Sequence, residues 1–60
     1  MTTYDVHVRR DGNLLYVEIP ALNGATQART VSEVDEMARD YIAEVTGAPE
    51  SDVEVRVVNP

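Results

Sequence analysis

Between Thr30 and Thr46 the apolar residues recur at steps of three and four: Val31, Val34, Ala38, Tyr41 and Val45 form one stripe, which Met37 and Ile42 widen. That period is helical, and Asp35, Glu36, Arg39, Asp40 and Glu44 hold the opposite face, so the segment reads as an amphipathic helix with one side against the rest of the chain. Its ends are marked as well. Thr30 and Glu33 have the spacing of a capping box, in which the threonine hydroxyl accepts from the Glu33 N–H and the glutamate reaches back to the Thr30 N–H. Gly47 supplies the left-handed residue that a helix C-terminus favours, and Pro49 blocks resumption.

Elsewhere the period is two. From Thr3 to Arg10, Tyr4, Val6 and Val8 alternate with Asp5, His7 and Arg9, the pattern of a half-buried strand. Asp11-Gly12-Asn13 is a hairpin turn, which returns Leu14 to Ile19 antiparallel with Leu15, Val17 and Ile19 toward the helix. Pro20 and Gly24 bracket a corner, PALNG, after which Ala25 to Arg29 reads as a short third strand. Val53, Val55 and Val57 alternate with Glu54 and Arg56 in a last strand whose inward face is all valine. Two antiparallel connections and a right-handed crossover through the helix give a mixed sheet of order 3-2-1-4. The expected fold is therefore α+β, β-β-β-α-β, with one helix on one face of four strands and the other face bare. Leu14, Tyr16 and Val58 are placed on that bare face, as candidates for self-association.

Size sharpens the last expectation. Sixty residues make a single domain, 1–60, that buries only about 60% of its unfolded surface. With no cysteine there is neither a disulfide nor a thiolate metal site to stiffen it, and small domains of this kind commonly gain stability as homo-oligomers, here a dimer or tetramer. The net charge of −6 and a pI near 4.4 point to a basic partner and away from direct nucleic-acid binding, because the chain has no lysine and its five arginines are scattered. No apolar run reaches the ~20 residues of a membrane span and the first residues lack the pattern of a signal peptide, so the expected compartment is the cytoplasm.

Catalytic residues are not in view. His7 is the single histidine, on an outward strand position beside Asp5, with no cysteine or well-placed serine to activate. Ser32 and Ser51 fall at a helix start and in a turn. Glu36 and Asp40 are on the opposite side of the fold from Asp5 and Glu54, so no metal cage or carboxylate pair forms, and neither a catalytic residue, a metal nor a cofactor is expected. The densest charge that folding does not use is Asp35, Glu36, Asp40 and Glu44, the candidate partner-binding face.

The order of short motifs adds a family. Pro20, Leu22 and Gly24 in the corner, Thr26 and Gln27 after it, and Thr30 with Glu33 at the start of an Ala- and Glu-containing helix resemble the HicB-type antitoxin family over nearly the whole chain. Ala21 and Asn23 depart from it, standing where the family pattern has an acidic residue and a second proline. The resemblance implies a reduced ribonuclease-H-like β-β-β-α-β fold and a non-enzymatic domain that binds and inhibits a HicA-type toxin, a small basic ribonuclease that cleaves messenger RNA. Family members often add a C-terminal DNA-binding segment, for which these sixty residues leave no room. Two other readings compete: a homo-oligomeric structural or regulatory adaptor with an unrelated partner, and a vestigial nuclease working through Asp5 or Glu54.

Overall fold

The computed structural model describes residues 1–58; Asn59 and Pro60, the last two residues of the expected domain, lie outside that range. Strand β1 (Thr2–Asp11) turns into β2 (Leu14–Ile19), and a short 3-10 turn (Pro20–Leu22) leads to β3 (Gly24–Ala28). Helix α1 (Val31–Thr46), a second 3-10 turn (Glu50–Asp52) and β4 (Val53–Val57) follow. The strands form one sheet of order β3-β2-β1-β4, antiparallel across β1–β2 and β2–β3 and parallel across β1–β4. The α+β fold and strand order are those the alternation predicts. The third strand begins and ends one residue earlier than expected.

Local chemistry explains the turns. In the β1–β2 hairpin Asp11 pairs with Leu14, leaving a two-residue loop in which Gly12 alone has positive φ, at 65°. That is the pattern of a type II′ turn, whose first central position suits glycine. At the corner Asn23 takes a left-handed φ of 55° and its N–H donates to the Pro20 carbonyl at 3.1 Å. Asparagine tolerates that conformation, whereas proline, fixed near −65°, cannot adopt it. The next residue, Gly24, lies under Tyr41: a Cβ there would overlap the tyrosine hydroxyl and come within 2.8 Å of Cζ. Glycine at this place lets the helix lie close on β3.

One core fills the space between the layers. Val6 from β1, Leu15, Val17 and Ile19 from β2, Ala28 from β3, Val53 from β4 and Val34, Ala38 and Ile42 from α1 are all buried. Tyr4, Val8, Leu22, Met37, Tyr41, Ala48 and Val55 pack around them. The helix stripe is narrower than its sequence pattern: Val31 is 78% and Val45 54% exposed. Val31 is the first residue of the helix and Val45 the last but one, so both stand at the ends of the stripe. The valine face of β4 likewise fades along the strand, from buried Val53 through half-buried Val55 to Val57, which is 49% exposed.

The helix start also differs from the expected capping box. Thr30 is the N-cap residue, but its side chain caps no backbone N–H. Its hydroxyl lies 3.0 Å from that of Ser32, while the Glu33 N–H donates to the Thr30 carbonyl at 3.1 Å. The Glu33 carboxylate does reach back, yet to the Arg29 N–H at 3.0 Å, one residue before the cap. At the other end Gly47 is left-handed as expected, with φ 78°, and donates to the Ala43 carbonyl.

Candidate functional site

The charges separate by layer. Helix α1 and the turn after it carry Glu33, Asp35, Glu36, Asp40, Glu44, Glu50 and Asp52 against one guanidinium, Arg39. The sheet carries Asp5, Asp11, Glu18 and Glu54 against Arg9, Arg10 and Arg56. Nearly all the excess negative charge therefore lies on the helix side, while the sheet is close to balanced.

On the helix side the carboxylates are poorly compensated. Arg39 bonds Asp35 one turn earlier, Nη2 to Oδ2 at 3.1 Å, and its Nε is buried without a partner. Asp40 and Glu50 come together although ten positions separate them, because the second 3-10 turn folds back along the helix. A hydrogen bond with Asp40, partial desolvation and repulsion from Asp40 raise the Glu50 pKa, and Arg39 offsets this only in part. Glu36 adds a further repulsion. This pairing had no signal in the sequence, since it depends on the path taken by Gly47 to Pro49.

On the open sheet face several charged groups have partners. Arg56 grips Asp5 with two hydrogen bonds, Nε to Oδ1 at 2.8 Å and Nη2 to Oδ2 at 3.2 Å. The bond to Arg56 holds the Asp5 carboxyl below the usual range and raises the Arg56 pKa. Glu54 accepts from the Thr3 hydroxyl at 3.5 Å. Arg9 lies over the Tyr16 ring, 4.8 Å from its centroid, as expected for cross-strand partners on one face. His7 faces the same side, opposite Glu18, and borders a hollow of about 520 Å³ with Tyr16, Glu18, Pro20 and Asn23. No group of three or more His, Asp or Glu side chains that could hold a metal ion occurs among the described residues.

The candidate residues meet only in part. Leu14 and Glu36 line one hollow of about 410 Å³, with Met37, Glu33, Gln27 and Arg29. Tyr16 and Met37 line another, of about 550 Å³, with Thr26 and Gln27. Both wrap the β3 edge, so the acidic helix face and the apolar patch of the open sheet face become neighbours there, with Met37 as the link that alternation and period had assigned to the core alone. Asp35 is on the opposite flank, beside Val8, Val31, Val34 and Val57. Val58 is half-buried and donates its N–H to the Val6 carbonyl at 2.8 Å, on the β4 side and away from Leu14. No helix among the described residues is long and apolar enough to cross a membrane.

Comparison of the chain with protein-family models, with curated proteins and with solved structures finds no match in any of the three. The likeness to HicB-type antitoxins accordingly rests on the corner, the Thr26-Gln27 pair and the helix start. At Asn23 the departure from that pattern is conformational, because a proline could not take its φ of 55°.

Proposed function

We propose that this is a non-enzymatic, antitoxin-like binding domain that inhibits a small basic ribonuclease of the HicA type through its acidic helix face. The observation that carries the reading is the segregation of charge: α1 and the turn after it carry seven carboxylates against the single Arg39, whereas the sheet carries four against three arginines. Uncompensated surface charge costs self-repulsion and does nothing for the fold, but it steers a basic partner into contact. Asp35, Glu36, Asp40 and Glu44 are the proposed contacts, with Leu14, Tyr16 and Met37 as the apolar margin at the β3 edge. The motif resemblance names the class of partner.

The test is inhibition of RNA cleavage by a HicA-type toxin from the same genome. Wild-type chain should inhibit, its association rate should fall steeply with added salt, and changing Asp35, Glu36, Asp40 and Glu44 together to Gln and Lys should weaken inhibition without unfolding the domain. Failure of the wild type to bind or inhibit any such toxin removes the reading. Equal inhibition by both proteins at low salt moves the contact to the open sheet face.

A further inference from the structure

We propose that the β4 edge is a self-complementary interface, through which two copies of this chain pair antiparallel about a two-fold axis at Val55. The proposal is independent of the antitoxin reading. Among the described residues β4 is an outer strand of the sheet, with β1 on one side only. Because Val58 donates to Val6 of β1, strand alternation turns the backbone groups of Glu54 and Arg56 toward β1 as well, and those of Val53, Val55 and Val57 toward the free edge. The Val53 N–H already bonds the Glu50 carbonyl. The edge therefore offers the N–H groups of Val55 and Val57 and the carbonyls of Val53, Val55 and Val57.

An antiparallel second copy meets those groups when Val55 faces Val55. The two Val55 residues exchange a pair of bonds, and each Val57 N–H donates to the other copy's Val53 carbonyl. The sequence of the strand, Val-Glu-Val-Arg-Val, then sets each Glu54 opposite an Arg56 of the other copy, in the narrow pairs where cross-strand side chains are closest. The registers one step away satisfy the same backbone rule but place Glu54 against Glu54, or Arg56 against Arg56. Charge thus selects one register of three. In that register the valines of both strands share the helix-side face, where Val57 and Val31 are exposed. Edge strands are commonly guarded by proline, lysine or a bulge; β4 has neither proline nor lysine, and its two charges complement a second copy of itself. The opposite edge, β3, offers Gly-Ala-Thr-Gln-Ala, with little side chain to bury and no charge to fix a register.

Native mass spectrometry and sedimentation of the full chain test this. Wild type should dimerise. Glu54→Arg, at an exposed position, should raise the dissociation constant roughly tenfold or more, because like charges then face each other at both pairs. Arg56→Glu, made with Asp5→Asn so that the new carboxylate does not face Asp5 across the β1–β4 pair, should do the same. An equimolar mixture of the two variants should recover association as a heterodimer, since each then supplies the charge the other lacks. Circular dichroism confirms that both are folded. A wild-type chain that stays monomeric at about 1 mM overturns the proposal, as does a dimer indifferent to Glu54→Arg, a folded mixture that does not associate, or a dimer lost instead on changing Leu14 or Tyr16.

Discussion

The helix layer and the sheet layer use charge in opposite ways. On the sheet, Asp5 is held by Arg56 and Arg9 rests on Tyr16, so these long polar side chains have a task within the fold. On the helix, Asp35 alone has an ion-pair partner among the described residues, and Asp40 and Glu50 repel one another. The first arrangement fixes strands to strands; the second leaves the helix layer with an excess of negative charge. Side chains on the two layers should therefore respond differently to mutation, and the largest effect marks where the layers meet.

Val34→Asp sets a charge without a partner into that junction, where Val34 is 3% exposed. The loss should be several kcal/mol, enough to abolish the cooperative thermal transition of a domain this small. A cooperative melt in this variant would refute the docking face assigned to α1. Gly24→Ala comes next, at about 1–3 kcal/mol, because its methyl must displace Tyr41. In a double-mutant cycle Tyr41→Leu should relieve much of that cost, and additive effects would show that the contact is not its source.

Neutralising the outer helix face with the four changes to Gln and Lys should alter stability by no more than about 1 kcal/mol, despite its effect on partner binding. A loss as large as that of a core change would mean the face belongs to the fold. Acid should discriminate the layers too. Glu50 binds its proton more tightly in the folded chain, so its contribution to stability is present at low pH and is lost as pH rises through its raised pKa. Asp5, with a lowered pKa, contributes above the usual aspartate range and loses that contribution as pH falls through its folded value. Melting curves across the acid range should show Glu50→Gln abolishing the first trend and Asp5→Asn the second. Exchanged assignments would reverse the comparison of the layers. The smallest effect belongs to Thr30→Ala, below roughly 0.5 kcal/mol, since the usual benefit of a capping side chain is not realised by a hydroxyl that bonds Ser32. A loss near the ~1 kcal/mol of a working cap would place the Thr30 hydroxyl on a backbone N–H in solution.

Strand alternation exposed the fold because Val6, Val17 and Ile19 have one dry face available to them, and a slip by one residue would drive Asp5 or Glu18 into it. The helix period was equally plain along Val34, Ala38 and Ile42. What the pattern could not reveal is how far packing extends toward the helix ends, and so Val31 and Val45 read as core although both are largely exposed. The helix start departs from a capping box for a related reason: Thr30 and Glu33 have the right spacing, but spacing does not fix the rotamers that send one to Ser32 and the other to Arg29. Of the candidate site, the acidic face was legible from the helix period. Its meeting with Leu14 around Met37, and the closeness of Asp40 to Glu50, depend on tertiary contacts that no local pattern records.

The parallel pairing of β1 with β4 joins Thr2 to Val53 and Val6 to Val57, so during synthesis β1 waits for β4 before its second neighbour arrives. Contacts this remote in sequence require most of the chain to be in hand before they repay the closure of so large a loop. The hairpin of β1 and β2 can form early, but half of the first strand's ladder cannot. Folding is thereby tied to completion of β4, and a chain halted before Val53 would present an unpaired β1 edge to its surroundings.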